Sequence, residues 1–227
     1  MSRVRELSGG GRAVEVEPER LAGWFERFAA AHGGAECTTS TSVRVRVLAA
    51  DGASAEVDVP FGPLPHPRGR VAGLDVDELV RHLSVPRRIG LVLVRRGAHS
   101  VGIARDGRVE TSSTDRHLVQ GRSKAGGWSQ QRFARRRAGQ SRKALDSAAD
   151  AVARVLLPER ARLDGVLLGG DRSALDALRV DPRLRELLDA AGDRVLDVPE
   201  PRKEVLLRAA SRARCAEVRV HDAPAAM

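Results

Sequence analysis

The order of apolar segments in the second half of the chain is the strongest constraint on its fold. Residues 89–94 form a continuous apolar run that is typical of a strand buried on both faces. Two alternating segments, 100–104 and 108–112, flank Asp106-Gly107, a dipeptide that favours a tight hairpin turn. The later predicted elements are a long helix ending before Pro158, a strand at 166–168, helices from 173 and at 182–191, a strand at 194–198, a helix at 202–214 and a short strand at 216–220.

Three meandering strands followed by alternating helices and strands predict a mixed sheet with helices packed on it. This order fits an α/β domain with an RNase H-like fold, and we assign it to residues 86–227. The long helix keeps its apolar positions on one face, with Leu145, Ala148 and Val152 at helical spacing.

Residues 1–85 predict a smaller N-terminal α+β subdomain. A helix is expected at 18–32, because apolar residues recur at helical spacing before a Gly-Gly pair: Leu21, Trp24, Phe25 and Phe28. These aromatic residues could stack on bases, but a core stripe is the simpler interpretation. The other predicted elements are a hairpin of strands 43–48 and 55–59, a proline-rich loop at 61–73 and a short helix at 76–83.

The cysteines, histidines and apolar segments exclude several classes of protein. Cys37 and Cys215 lie far apart without metal-ligand spacing, which indicates free thiols in a reducing compartment, no metal and no cofactor. No secretory signal or membrane-spanning run is visible, so we expect a soluble, cytoplasmic protein without membrane association. The oligomeric state is left open. No catalytic spacing relates the histidines, which we expect at the surface: His32, His66, His82, His99, His117 and His221.

All of the net positive charge belongs to one segment. Residues 116–143 contain nine Arg or Lys and no Asp or Glu, whereas the chain has 39 basic and 30 acidic residues, so the remainder has 30 of each. Concentrated arginine favours a polyphosphate partner, since neutralising a nucleic-acid backbone releases its counterions. An anionic membrane is disfavoured, because the segment lacks a bulky apolar face.

A glycine-containing polar loop lies inside this basic segment, and we place it at residues 121–131. Gly126 and Gly127 permit backbone angles closed to other residues and allow close approach to a ligand. Trp128 is unusual in so polar a run and suits stacking or wedging between bases. An ordinary surface loop is the alternative interpretation.

The motif Gly127-Trp128-Ser129-Gln130 resembles the GxxQ catalytic loop of the Vms-like release factors. It is followed by Arg132-Phe133-Ala134-Arg135, which is similar to the helix after the GGQ loop in the middle domain of the eukaryotic and archaeal release factor. The resemblance covers about residues 86–200 and points to the actinobacterial branch. Unlike the GGQ loop, the chain has no second glycine directly before Gln130. How the protein would be recruited to the ribosome is left open.

The resemblance implies a ribosome-rescue peptidyl-tRNA hydrolase, a carboxylic ester hydrolase that releases stalled nascent chains. Its partners would be peptidyl-tRNA and the ribosomal RNA of the peptidyl transferase centre on the large subunit. Gln130 would be the central catalytic residue, supported by Gly127 and Gly126. The residues expected to hold RNA are Arg122, Lys124, Trp128, Ser129, Arg132, Arg135, Arg136, Arg137, Arg142 and Lys143.

Two other functions fit the same basic segment: an endonuclease that cleaves near the tRNA 3′ end, and a non-catalytic factor that binds ribosomal RNA. A Ser-nucleophile elbow at Ser129 is excluded, because Gln131 stands where that motif needs glycine and no apolar strand precedes it. Gly169-Gly170-Asp171 lacks the Lys-Ser/Thr of a phosphate-binding loop and is interpreted as a tight turn between strand and helix.

Overall fold

The computed structural model describes residues 4–7, 10–95, 97–117 and 129–223, with the backbone alone described for 129–137. The chain divides into two compact units. Unit 1 consists of Met1–Pro86 together with Arg214–Met227, and unit 2 of Arg87–Ala213.

Within the described ranges, unit 1 is built on a seven-stranded antiparallel sheet of order β1-β2-β12-β5-β4-β3-β6. Each central strand alternates buried and exposed residues, so one face of the sheet is apolar and the other polar. The strands are β1 (Val4–Glu6), β2 (Arg12–Val16), β3 (Ala35–Ser40), β4 (Arg44–Ala49), β5 (Ser54–Asp58), β6 (Gly69–Ala72) and β12 (Ala216–His221).

Two helices, α1 (Pro18–Ala31) and α2 (Asp77–Ser84), belong to the core of unit 1. Pro18 at the first position of α1 suits the missing hydrogen bond there, and Gly34 closes the helix by donating its N–H to the Ala29 carbonyl at 2.8 Å. Phe25 is fully buried, so the aromatic stripe is a core feature as the simpler interpretation predicted.

Unit 2 holds a five-stranded mixed sheet of order β11-β10-β7-β8-β9, as far as its residues are described. The first three strands along the chain form the predicted antiparallel meander, β10 is parallel to β7, and β11 is parallel to β10. Asp106 and Gly107 both have positive φ, as a tight hairpin turn requires. The strands are β7 (Arg88–Arg95), β8 (Ala98–Arg105), β9 (Arg108–Arg116), β10 (Gly165–Gly170) and β11 (Val195–Leu196).

Helices cover both faces of this sheet. Val101 and Ile103 of β8 pack in one apolar cluster with Ala148 and Val152 of the long helix. Neighbouring residues of a strand point to opposite faces, and a Cβ added at Gly102 would lie 2.8 Å from Leu206 of α6, so α6 covers the other face. The helices are α3 (Ser129–Leu156), a 3-10 helix (Leu157–Arg162), α4 (Arg172–Arg179), α5 (Arg185–Asp189) and α6 (Lys203–Ala213).

The mixed α/β class is confirmed, and several boundaries differ from the sequence predictions. Strand β12 pairs with β2 and β5 of unit 1, so residues 86–227 do not form one unit as expected. The predicted loop 121–131 reaches too far, because α3 already begins at Ser129. The proline-rich stretch contains a strand, β6, and β1, β2 and β3 were not predicted.

Candidate functional site

Helix α3 has two halves that differ in how they pack. Its C-terminal half buries a regular apolar stripe against the sheet: Ala144, Ala148, Val152 and Leu156. None of the side chains at 138–143 is buried, and all except the half-buried Gln140 are exposed. We call residues 129–143 the α3 extension. Its described side chains contribute nothing to the core, so α3 is anchored through its other half.

Polar contacts reinforce the anchored half. Arg183 donates to Asp150 at 3.0 Å, and Arg154 donates to the Ser113 hydroxyl of β9 at 2.9 Å. Beyond the end of α3, Arg88 donates to both Glu110 and Glu159, at 2.7 and 2.6 Å. These hydrogen bonds from Arg88 lower the pKa of both glutamates. These contacts and the buried apolar stripe hold the C-terminal half of α3 on the domain, and the α3 extension continues from this anchored half.

The predicted catalytic loop falls mostly outside the described residues. Arg122, Lys124, Gly126, Gly127 and Trp128 all lie there. The next two site residues, Ser129 and Gln130, are the first two residues of α3. The backbone N–H groups in the first turn of a helix have no partner within the helix and form its positive end.

Helical geometry sets where the basic positions of the extension lie. With about 3.6 residues per turn, positions 132, 135, 136 and 143 fall on one side of α3. The buried stripe that begins at Ala144 lies on the opposite side. Position 137 falls on the side of the stripe, and position 142 lies between the two. The extension thus has most of its basic positions on the side directed away from the sheet.

Ion pairing differs between this helix and the open face of the unit 1 sheet. On that face Arg44 pairs with Asp58 at 2.8 Å, and Arg219 pairs with Glu56 at 2.9 Å. Arg142 and Lys143 of α3, in contrast, are exposed and make no ion pair with any described residue. Unpaired guanidinium and ammonium groups are available to phosphates, whereas Arg44 and Arg219 already have carboxylate partners.

A polar cleft of about 510 Å³ lies between β9 and the part of α3 from Lys143 to Arg154. Sequence reasoning missed this cleft, because its residues come from separate elements and share no motif. Its lining consists of His99, Ser113, Thr114, Asp115, Lys143, Asp146, Ser147, Asp150 and Arg154.

His99 is the buried member of this lining. Only 2% of its surface is exposed, and its buried Nδ1 atom has no hydrogen-bond partner among the described residues. Burial is the main cause that lowers the pKa of His99, opposed by the charge of Asp115 and assisted by His117 and Arg154. The expectation of surface histidines is wrong for His99, and also for His82, which is buried against the Pro60 carbonyl at 3.0 Å.

The carboxyl ends of the parallel strands, where α/β sheets often bind ligands, are occupied by the protein itself. Arg95 at the end of β7 donates to the Val198 carbonyl at 2.6 Å and lies 3.4 Å from Asp171. Gly170 has φ +106°, and a Cβ there would lie 2.0 Å from the Val94 carbonyl oxygen. Gly169-Gly170 is thus a close-packed turn between strand and helix.

Among the residues that the structure describes, no group of three or more His, Cys, Asp or Glu side chains is placed to hold a metal ion. No described helix combines the length and apolar character needed to cross a bilayer.

Comparison with known proteins identifies the class of this chain as a translation release factor. Residues 87–219, well over half of the chain, match the model of one such family. The chain belongs to the Actinobacteria/chloroflexi VLRF1 release factor family. The predicted family and branch are confirmed, and the family is one of release factors. No curated protein sequence matches the chain.

Several solved structures share a distant similarity. The archaeal translation termination factor aRF1 is 16% identical with a TM-score of 0.41, over 74% of this chain and 51% of that one. Dom34 of S. cerevisiae is 10% identical with a TM-score of 0.35, over 93% of this chain and 69% of that one. Pelota of Archaeoglobus fulgidus is 15% identical with a TM-score of 0.31, over 94% of this chain and 66% of that one. The chain spans about half the length of aRF1. These scores are too low to support an argument.

Proposed function

We propose that this protein hydrolyses the ester bond of peptidyl-tRNA held on the large ribosomal subunit, with Gln130 as the catalytic residue. The observation that carries the proposal is the α3 extension, which begins with Ser129 and Gln130 and whose described side chains are not buried. Membership of a release-factor family supplies the reaction class. No metal or cofactor is needed for this chemistry.

The α3 extension places Gln130 far from the anchored half of the helix. Ala144, the first buried side chain among those described in α3, lies fourteen positions further along, which at about 1.5 Å per residue is roughly 20 Å of helix. A group carried at that distance from the anchored half can enter a narrow RNA-lined site while the rest of unit 2 stays outside. Gly126 and Gly127 would then let the backbone approach the ester closely.

A neutral amide suits ester hydrolysis in an RNA active site. Glutamine does not titrate, so it orients the attacking water with its side chain rather than acting as a strong base. Gln130 is the second residue of α3, and its backbone N–H therefore has no partner within the helix. We propose that this N–H donates to the developing oxyanion, a contribution typically of about 3 kcal/mol.

The basic residues would bind RNA phosphates and hold the extension in place. We assign this role to Arg122, Lys124, Arg132, Arg135, Arg136, Arg137, Arg142 and Lys143, with Trp128 stacking on a base and Ser129 beside the ester. Contacts with phosphates give affinity without sequence choice. This matches a partner made of ribosomal RNA and tRNA, whose backbones are uniform.

The decisive experiment is peptide release from purified large subunits that carry peptidyl-tRNA. Gln130→Ala should slow release by roughly a hundredfold, because it removes the side-chain amide that orients the attacking water while the backbone N–H remains. Gln131→Ala is the matched control, since it removes the same amide one residue away and should retain activity. Equal release by the wild type and Gln130→Ala would refute the catalytic assignment.

Analysis of the RNA product distinguishes the alternative functions. Ester hydrolysis leaves the tRNA with an intact CCA end, whereas an endonuclease leaves it shortened. A non-catalytic binding factor predicts that Gln130→Ala binds subunits normally and changes neither the peptide nor the tRNA.

A further inference from the structure

Gly139 lies at the centre of the basic part of α3. Residues three and four positions apart are neighbours on the surface of a helix. The four neighbours of Gly139 defined in this way are all basic: Arg135, Arg136, Arg142 and Lys143. No Asp or Glu occurs at 116–145, so no carboxylate along this part of the helix offsets these charges. Gly139 is thus bracketed by cationic positions on both sides along α3.

No contact among the described residues explains a glycine at this position. Gly139 is exposed and lies inside a helix, and a Cβ added to it would meet no atom within 4 Å. Among residues other than proline, glycine is the least favourable in a helix interior. Sequence that works against its own local structure is expected at functional sites. A binding role is therefore a reasonable explanation for Gly139.

The direction of helical side chains brings two cations toward Gly139. Each Cα–Cβ bond of an α-helix tilts toward the N-terminus, so a side chain covers the turn before its own Cα. Arg142 and Lys143 follow Gly139 by one turn and lie on opposite sides of it, at about 100° of rotation per residue. Both are exposed and make no ion pair with any described residue. They flank a stretch of helix backbone that has no side chain of its own.

This bare stretch of backbone is directed away from the sheet of unit 2. Ala148 is buried in the core cluster of that unit. It follows Gly139 by nine positions, or about two and a half turns, so the two residues lie on opposite sides of α3. A ligand can therefore approach Gly139 from solvent.

The surroundings of Gly139 suit the phosphates of an RNA strand. Arginine and lysine donate charge-assisted hydrogen bonds to phosphate oxygens. A nucleic-acid backbone repeats its charge at every nucleotide, and basic positions both precede and follow Gly139 by one turn. An anionic membrane is a poorer match, because residues 138–143 include no apolar side chain larger than alanine.

We propose that one phosphate of the RNA backbone lies directly on α3 at Gly139, bound from both sides by Arg142 and Lys143. The inference rests on the RNA binding in the proposed function and adds an uncharged residue to the contact. Glycine is used where a ligand must approach a backbone closely. A side chain at this position would move the phosphate outward and lengthen its hydrogen bonds to both cations.

The test measures the affinity of the full chain for purified large ribosomal subunits by filter binding. Gly139→Leu should weaken binding by roughly tenfold, because two charge-assisted hydrogen bonds to one phosphate are lengthened. Gly139→Ala should weaken it by roughly two- to threefold, since a methyl group displaces the strand less. Both variants raise helix propensity, so loss of helix would not explain weaker binding.

Ser141→Leu is the matched control for added bulk. Ser141 is also exposed, but two positions correspond to about 200° of rotation, so it lies on the other side of α3 from Gly139. This variant should bind subunits with the affinity of the wild type. If it weakens binding as much as Gly139→Leu does, the effect comes from bulk at any position and the inference is wrong.

Dependence on the two cations distinguishes a phosphate contact from other effects of the leucine. In the Arg142→Gln/Lys143→Gln protein the phosphate has already lost these donors, so adding Gly139→Leu should weaken binding by no more than about twofold. Gly139→Leu alone should lower the slope of log affinity against log salt by about 1, the value for one phosphate. Equal weakening in both backgrounds would overturn the inference.

Three further outcomes would also overturn it. Unchanged affinity of Gly139→Leu would exclude close approach of RNA at this residue. Normal binding combined with slower peptide release would assign Gly139 to bending of the helix. Weaker binding of Gly139→Leu to phosphatidylglycerol vesicles, with no change in subunit binding, would assign the position to an anionic membrane.

The proposed function can fail independently of this inference. Gln130→Ala should lose peptide release and yet bind subunits like the wild type, and adding Gly139→Leu to it should still weaken binding. Normal release by Gln130→Ala would remove the catalytic assignment alone. Unchanged affinity in Gly139→Leu would remove the backbone contact alone.

Discussion

At the scale of single residues, Gly170 shows how the turn after β10 depends on a missing side chain. Its φ of +106° is costly for any other residue, and the space for a Cβ is occupied by the Val94 carbonyl. The next residue donates its N–H to that same carbonyl at 2.9 Å. The Gly-Gly pair is therefore required by packing between β7 and β10, without any ligand.

Gly170→Ala should lower the free energy of unfolding by about 3 kcal/mol, because backbone strain and steric overlap add together. Urea denaturation followed by circular dichroism would measure this as a lower midpoint at an unchanged slope. Gly192→Ala is the control, since a Cβ there meets no atom within 4 Å and its φ is not in the left-handed region. Equal midpoints for the two variants would contradict the packing argument.

At the scale of elements, the two halves of α3 differ in stability: packing stabilises the C-terminal half, whereas the α3 extension contains a residue of low helix propensity. Gly139 lies inside the extension, and a Cβ added there meets no atom within 4 Å. Glycine costs about 1 kcal/mol relative to alanine in a helix interior, and no steric constraint requires it here. The residue therefore makes the extension easier to unwind than the buried half.

Gly139→Ala should raise the hydrogen-exchange protection of backbone amides at 138–143 by roughly fivefold, the equivalent of about 1 kcal/mol. The amides after Ala144 should change little, because packing already stabilises that half. Ala138→Gly is the reciprocal control and should lower protection by a similar factor. If protection stays constant in both variants, the extension is not limited by its helix propensity.

Elements with strong local signals were predictable from the sequence, and those defined by distant pairing were not. The meander β7–β9 and the Asp106-Gly107 turn follow from apolar runs and turn chemistry. Nothing local indicates that β12 pairs with β2 and β5, more than 150 residues away. Sheet partners of this kind are selected by the whole fold.

The same distinction applies to the candidate site. The GxxQ motif and the basic segment are contiguous and could be recognised by their residues alone. The cleft is built from His99, Asp115 and Asp146, which no spacing connects. His99 also precedes the predicted strand 100–104, whereas β8 begins at Ala98. Extending that predicted strand by two residues, to Ala98, would have placed His99 on the same face as Val101, which packs against α3.

At the scale of the whole molecule, the net charge is concentrated in one segment and is not distributed uniformly. Residues 116–143 carry the whole net charge of +9, and the other residues are balanced. On the polar face of the unit 1 sheet, Arg44 and Arg219 are paired with carboxylates across neighbouring strands. These two paired arginines have little charge to offer a polyanion, so the basic segment should dominate binding to RNA.

Binding to large subunits should therefore weaken steeply with salt, since each phosphate contact releases condensed counterions. The double variant Arg142→Gln/Lys143→Gln should reduce the slope of log affinity against log salt by about 1 to 2, because two contacts are lost. Arg44→Gln removes one positive charge that is already paired and should leave the slope unchanged. The measurement is a filter-binding titration at several ionic strengths. A flat salt response of the wild type, or equal slopes for the double variant and the wild type, would mean that the extension does not hold RNA through its phosphates.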